Sequence, residues 1–231
     1  MCLKLEPVCL HVGSSYEENE LPTRARRGWT ILTSRGTKRE RVLRVLLSDP
    51  DGSLSKLRIA KLSECSRQWI IEFLAKLETQ GLVKQTRVLS YSRLVEYWGQ
   101  VRLEPKQRDY MLREPLELLR KTEPNYALTT YQAENLVQRY LFPSRTDLYF
   151  REEDGAEWHS LILGEGGLVG RGNLRLLLAD PHVFYKASKL EGLAIVSLPQ
   201  LAVDLLAEGG PCVEAAQLLL EKVSKHTIPA A

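Results

Sequence analysis

Acidic side chains in the second half of the chain are the residues that could perform metal-dependent or general acid-base chemistry. Asp147, Asp180 and Asp204 are scattered along the sequence and form no spaced pair. The one acidic run, Glu152–Asp154, precedes Gly155, which is more typical of a solvated turn than of a two-metal site. These acids therefore predict no metal site.

Histidines and glycines in the same half offer no better candidate. His159 and His182 each follow a carboxylate by two residues, but no third ligand occurs at a recognisable spacing. The glycines of residues 164–172 lack the Gly-Lys-Ser/Thr of a phosphate loop and favour a flexible turn that enters a strand. We therefore expect no catalytic residues and no cofactor, and we interpret the chain as a non-enzyme.

The cysteine spacing and the hydropathy of the sequence indicate the cellular compartment of the protein. The four cysteines include no Cys-x-x-Cys pair, and this spacing is typical of neither a disulfide framework nor a structural zinc site. The most apolar stretch, residues 190–206, is interrupted by charged residues, glycine and proline, so no membrane span is expected. Since a signal-peptide pattern is also missing, the sequence predicts a cytoplasmic protein.

Charge is distributed unevenly along the 231 residues, whose net charge is +3. Residues 21–103 hold 17 Lys and Arg against 7 Asp and Glu, a net charge of +10, whereas residues 104–231 hold 14 against 18, a net charge of −4. A basic block beside an acidic one indicates a module that binds a polyanion, joined to a second module. An uneven but inert surface is the alternative.

Two helices are predicted at the start of the basic block. Residues 38–47 carry four aliphatic side chains on one stripe, which predicts an amphipathic helix. The Asp-Pro-Asp-Gly of residues 49–52 ends it, because proline cannot continue a helix and the other residues favour turns. Residues 55–63 predict a second, short helix with Ser55 at its N-cap.

A longer third helix is predicted over residues 66–80. It has Ser66 at the N-cap and apolar residues at helical spacing, and Gly81 ends it. Residues 82–89 are typical of a strand. Three helices, a glycine stop and a β-ribbon together predict a winged helix-turn-helix domain over residues 38–91.

The predicted third helix would expose polar side chains once its apolar stripe faces inward. The N-terminal part of such a helix enters the major groove of DNA, while basic residues around it contact phosphates. A winged helix can also bind protein, but the charge of +10 favours duplex DNA. The predicted DNA-binding residues are Ser66, Arg67, Gln68, Glu72 and Lys76 on the third helix, Lys56 and Arg58 on the second, and Lys84 and Arg87 on the wing.

Two features of the basic block allow two interpretations each. Trp69 either packs in the core, the favoured interpretation, or lies against DNA. Residues 1–37 form an N-terminal arm or tail. Within them, residues 23–29 are either a solvated tail, again favoured, or a basic arm that reaches a minor groove.

The rest of the chain predicts a linking helix over residues 92–105 and a C-terminal mixed α/β domain over residues 106–231. The fold class is therefore α+β, with the winged helix joined by a helix to this domain. The elements predicted there are helices over 114–121, 130–141, 198–207 and 212–224, the second after a capping box at Thr129 and Gln132, and strands over 126–128, 147–151, 173–179 and 193–197.

Short motifs across residues 38–224 resemble those of AbiEi-type transcriptional regulators. They are Ile59-Ala60, Ser66-Arg67-Gln68-Trp69, Leu77-x-x-x-Gly81-Leu82-Val83, Tyr126-Ala127-Leu128-Thr129, Glu134-Asn135-Leu136, Arg171-Gly172-Asn173-Leu174-Arg175 and Ser197-Leu198-Pro199-Gln200-Leu201-Ala202-x-Asp204-Leu205-Leu206. That family supplies the antitoxin of type IV toxin-antitoxin systems. The resemblance implies a winged-helix repressor of its own operon, a C-terminal domain that counters the toxin, and a nucleotidyltransferase-type toxin as partner.

The toxin's own signature, a Gly-Ser turn followed by Asp-x-Asp, is not found in this chain. Its Asp49-Pro50-Asp51 comes before Gly52-Ser53. The expected function is accordingly a sequence-specific, DNA-binding transcriptional regulator. Two alternatives stay open: an enzyme that acts on nucleotides or nucleic acid and is delivered by the winged helix, and a winged-helix adaptor that binds protein or RNA. The sequence leaves the oligomeric state open.

Overall fold

A computed structural model describes residues 35–122 and 125–227. Within these ranges the chain is α+β, as expected. The basic segment of residues 23–29, and with it most of the predicted arm, lies outside the described residues. None of the described helices is both long and apolar enough to cross a membrane.

Helices and strands alternate through the middle of the described chain. The helices are α1 (Arg35–Ser48), α2 (Lys56–Leu62), α3 (Arg67–Thr79), α4 (Tyr91–Val101), α5 (Pro115–Lys121), α6 (Thr130–Gln138), α7 (Gly155–Gly164), α8 (Leu198–Glu208) and α9 (Pro211–Thr227). The strands are β1 (Val83–Lys84), β2 (Arg87–Val88), β3 (Lys106–Met111), β4 (Tyr126–Thr129), β5 (Thr146–Phe150), β6 (Leu168–Val169), β7 (Leu174–Leu178), β8 (Ser188–Leu190) and β9 (Leu193–Ile195).

The three helices predicted in the basic block are confirmed, with their caps. Ser55 accepts a hydrogen bond from the backbone N–H of Arg58 and caps α2, and Ser66 caps α3 in the same way. Gly81 follows α3 at φ +66°, a left-handed conformation that costs least for glycine. Helix starts and stops are thus determined locally here.

The β-ribbon predicted after Gly81 is confirmed, although its strands are short. Residues 82–89 fold back into a hairpin of two antiparallel strands of two residues each, β1 and β2. The reversal occurs at Gln85, which adopts φ +57° and whose backbone N–H donates to Glu78 at 3.0 Å. A tertiary contact with α3 therefore stabilises a turn that the local sequence does not signal.

Helix α4 packs against both α1 and α8. Its buried side chains, Tyr91, Leu94, Val95 and Trp98, join one apolar core that continues from the first three helices into the second half of the chain. The predicted linking helix is therefore a central packing element, and its N-cap is Ser90, two residues before the predicted start.

The larger sheet has seven strands in the order β6-β3-β7-β5-β4-β9-β8. Strand β5 pairs in parallel with β7 and β4 in parallel with β9, whereas the other pairs are antiparallel. Trp158 of α7 packs edge-on against Tyr126 on one face of the sheet. Tyr149 lies on the other face, where its hydroxyl contacts α8. Helices therefore cover both faces, and the core lies between them and the sheet.

Two predictions in the second half are corrected. Thr129 makes no capping bond to α6, because its hydroxyl instead donates to Asp204 at 2.7 Å, and α6 ends at Gln138 rather than at residue 141. Lys106–Met111, for which no element was predicted, is strand β3. Its side chains are mostly polar and exposed, and Tyr110 is the one that is buried.

Candidate nucleic-acid interface

Helix α3 divides cleanly into a buried and an exposed face. Ile70, Phe73, Leu74 and Leu77 are buried in the apolar core, and α3 packs against α2 and β1. Because side chains three and four residues apart share a helix face, Gln68, Glu72, Ala75 and Thr79 lie together on the opposite, exposed face. Ala75 and Thr79 were not among the predicted residues, although their spacing from Gln68 was a sufficient signal.

Gln68 and Glu72 are hydrogen-bonded to each other on this exposed face. The Gln68 Nε2 atom donates to Glu72 Oε1 at 2.9 Å. The bond holds both side chains on the outer surface and leaves the Gln68 carbonyl oxygen and the second Glu72 oxygen as acceptors. This pair is therefore preorganised to meet hydrogen-bond donors.

Exposed basic side chains flank α3. Arg67 is exposed in the first turn of α3, and Lys84 and Arg87 are exposed on the hairpin. On α2, Arg58 is exposed and Lys56 is half-buried. Within the described ranges none of these five forms an ion pair. Their charges are consequently available to an external anion.

The hairpin is tied to the turn between α1 and α2. Val88 N donates to Pro50 O at 2.9 Å, and the Thr86 hydroxyl donates to Gly52 O at 3.2 Å. Gly52 has φ +83°, and a Cβ atom at this position would lie 2.8 Å from the Cβ of Arg87. Close backbone approach therefore places the basic hairpin next to the segment that leads into α2.

Three arginines counted in the basic block are used inside the molecule. Arg41 binds Asp180 through two hydrogen bonds of 2.8 and 2.7 Å and also contacts Glu64. Arg44 is buried and Arg102 is paired with a carboxylate of α8. The net charge of residues 21–103 therefore overstates the cation density that an external partner would meet.

Arg44 is the most enclosed of these side chains. Its Nε and Nη2 atoms donate to Gln200 Oε1 at 2.9 and 2.7 Å, and its guanidinium lies 5.1 Å from the centre of the Trp98 ring. Burial lowers the pKa of Arg44, and burial raises the pKa of the neighbouring Glu40 carboxyl. The hydrogen bonds between Arg44 and Gln200 join α1 to α8, although burying the guanidinium costs desolvation free energy.

His182 completes this cluster. Its Nε2 atom lies 2.9 Å from the carbonyl oxygen of Leu62 and therefore carries a proton, so Nδ1 accepts from Arg44 Nη1 at 2.9 Å. Burial, reinforced by the Arg44 charge, lowers the pKa of His182 to about 4. The imidazole is a neutral structural connector between the two halves of the chain.

Trp69 is half-buried and packs against the apolar core, its ring centre 4.9 Å from that of Phe73. Beside it a cavity of about 480 Å³ opens between α1, α3 and α4, lined by Arg39, Trp69, Glu72, Phe73, Lys76 and Tyr97. Lys76 and Glu72 therefore border this groove as well as the outer face of α3.

Asp204 lies at the centre of a buried polar cluster in the second half. Its Oδ1 atom accepts from Arg102 at 3.0 Å, Tyr149 at 3.1 Å and Gln200 at 3.0 Å, and its Oδ2 atom accepts from Thr129. The acceptor capacity of this carboxylate is thus occupied by the protein itself.

A second buried ion pair lies nearby. Arg145 donates to Asp147 at 2.5 and 2.8 Å and to Glu208 at 2.9 Å. The hydroxyl of Thr130 also donates to Asp147. Thr130 has φ +47°, a conformation that β-branched residues rarely adopt, and the hydrogen bond to Asp147 helps to hold it.

The two clusters border a cleft of about 340 Å³ whose lining includes Asp147, Asp204 and Glu208. The structure thus brings together acids that the sequence left scattered. Each is held by an arginine. Within residues 35–122 and 125–227, no group of three or more His, Cys, Asp or Glu side chains could hold a metal ion.

The chain has no recognised relative in three comparisons. No protein-family model matches it, and no match was found among curated proteins or solved structures. The resemblance to AbiEi-type regulators therefore stays a prediction from the motifs alone.

Proposed function

We propose that this chain is a sequence-specific, DNA-binding transcriptional regulator in which residues 38–91 act as a winged helix-turn-helix domain. The observation that carries the proposal is the exposed face of α3, where Gln68 and Glu72 form a preorganised polar pair. Arg67 beside this pair has no ion-pair partner among the described residues. In this proposal α3 enters the major groove of a duplex.

The proposed DNA-binding residues fall into two groups, those that contact bases and those that contact the DNA backbone. Arg67 and Gln68 contact base edges, since guanidinium and amide groups match the donor and acceptor patterns of guanine and adenine, and the Glu72 carboxylate accepts from cytosine. Lys56, Arg58, Lys84 and Arg87 contact phosphates, and Ser66 and Lys76 contact the backbone at the ends of the helix. Phosphate contacts supply affinity and base contacts supply specificity.

We further propose that the protein represses its own operon as an antitoxin of AbiEi type and that its partner is a nucleotidyltransferase-type toxin. The motif resemblance supports this, as does the net negative charge of residues 104–231, which disfavours DNA contact by that half and suits a basic protein. Deleting the gene should raise expression from its promoter. A pull-down of the full chain should retain the product of the adjacent gene.

The DNA-binding proposal is tested with the full chain, because α1 and α4 pack against α8. Selection from a random duplex library should return a preferred site, and fluorescence anisotropy should show affinity that falls steeply as salt rises, through counterion release. Arg113→Ala is a matched control, since the Arg113 side chain is 94% exposed and lies outside the proposed interface. Absence of binding at low salt would refute the proposal.

A further inference from the structure

The two edges of the seven-stranded sheet differ in chemistry. At one edge, β8 includes Lys189 and is flanked by Lys186 and Glu191. Charged residues on an edge strand discourage pairing with another chain. At the other edge, β6 consists of Leu168 and Val169, which lie between Gly167 and Gly170, and the strand contains no charged residue. Only the β8 edge is thus protected.

The β6 edge is also apolar and exposed. Leu168 is 68% exposed and Val169 is 59% exposed. Met111, which pairs with Leu168 in the sheet, and Leu163 at the end of α7 are also exposed. Contiguous apolar side chains on an unpaired strand are typical of an interaction surface.

The backbone of this edge is available for pairing. Val169 is opposite Tyr110 of β3, and Gly170 N donates to Asp109 O at 3.0 Å. Because backbone groups of successive strand residues point to opposite sides, the N–H and C=O of Val169 point away from β3. They lie at the free edge of the sheet.

We infer that the β6 edge pairs with the same edge of a second copy of this chain, antiparallel and related by a two-fold axis. The charges beside the strand favour this occupant. Glu165 precedes β6 and Arg171 follows it, both are exposed, and neither forms an ion pair with a described residue. Antiparallel pairing brings Glu165 of each copy beside Arg171 of the other, so the surface is complementary to itself.

The expected dimer is weak. The pairing strands are short and the apolar patch is small, whereas stable interfaces bury about 800 Å² per partner. The fraction of dimer should therefore depend on protein concentration. The expected dimer does not rest on the proposed DNA-binding function.

Sedimentation velocity of the full chain over a concentration series tests this inference. Wild-type protein should shift from monomer to dimer, and Val169→Lys should remain monomeric. Glu165→Arg alone and Arg171→Glu alone should each weaken dimerisation by about tenfold, since like charges then face each other twice. Circular dichroism confirms that each variant is folded.

Mixing the two charge variants gives the sharpest result. In a heterodimer of Glu165→Arg with Arg171→Glu, both ion pairs again join opposite charges, so the mixture should dimerise at concentrations where each variant alone is mostly monomeric. Lys189→Glu, at the β8 edge, is the matched control and should leave dimerisation unchanged. A wild-type chain that stays monomeric, a dimer that survives Val169→Lys, or a mixture that fails to associate would each overturn the inference.

Discussion

Arg44 and Gln200 lie 156 residues apart in sequence and are joined by two hydrogen bonds in the interior. The pair connects α1, in the proposed DNA-binding half, to α8, which packs on the sheet. A buried guanidinium that lacks acceptors is costly, so the pair makes the two halves depend on each other for stability.

Removing the Gln200 amide should therefore destabilise the whole chain. Gln200→Ala leaves the buried Arg44 guanidinium without two of its hydrogen bonds, and the free energy of unfolding should fall by about 2 to 3 kcal/mol in urea titrations. Gln100→Ala, on the exposed surface of α4, is the matched control and should change it little. Equal effects of the two substitutions would contradict this account.

Stability should also decrease as the solution is acidified. The pKa of His182 is lowered to about 4 from an ordinary value of 6.5, so below pH 6.5 the unfolded chain binds a proton that the folded chain does not. This contribution to stability is complete above pH 6.5 and is lost as the pH falls towards 4, at about 1 kcal/mol per pH unit between pH 6 and pH 5.

Urea titrations of wild type and His182→Gln across this pH range isolate the effect. Glu40, whose pKa is raised by burial, has the opposite influence, because a protonated acid favours the folded state at low pH. Since both proteins retain Glu40, the difference between them reports His182. If the free energies of unfolding of the two proteins changed in parallel with pH, the imidazole would contribute nothing to the pH dependence of stability.

DNA binding should separate base contacts from phosphate contacts. On the preferred site Arg67→Ala or Gln68→Ala should cost about 1 to 3 kcal/mol of binding free energy, with a much smaller loss on random DNA. Lys84→Ala or Arg87→Ala should weaken binding to both DNAs about equally. Anisotropy titrations at one salt concentration distinguish these patterns. If all four variants lost equal binding free energy on both DNAs, α3 would not be the element that enters the major groove.

Two glycines only eight residues apart should respond in opposite ways to alanine. A Cβ atom on Gly172 would lie 2.1 Å from the carbonyl oxygen of Tyr110, so Gly172→Ala must displace β3 and should destabilise the fold by about 3 kcal/mol. Gly164, in α7, has no neighbouring atom within 4 Å of such a Cβ, and alanine there should be neutral or slightly stabilising. Thermal unfolding measures both, and similar melting temperatures would show that the loop before β7 relaxes freely.

Local sequence determined the helices of the proposed DNA-binding half. Ser55 and Ser66 cap α2 and α3 as predicted, and Gly81 ends α3, because capping and helical periodicity act within a few residues. The predicted strand over 147–151 agrees with β5 (Thr146–Phe150) to within a residue, since its composition is typical of a buried strand.

Only the tertiary structure decided which charges are available. Arg41 and Arg44 are of the same residue type as the exposed arginines of the basic block, but Asp180, His182 and Gln200 enclose them. Likewise Thr129 has the sequence of a helix cap, yet its hydroxyl bonds to Asp204. A charged group or a hydroxyl forms its hydrogen bonds with whichever polar group folding brings within about 3 Å. That partner lies more than a hundred residues away in sequence for both arginines and 75 residues away for Thr129.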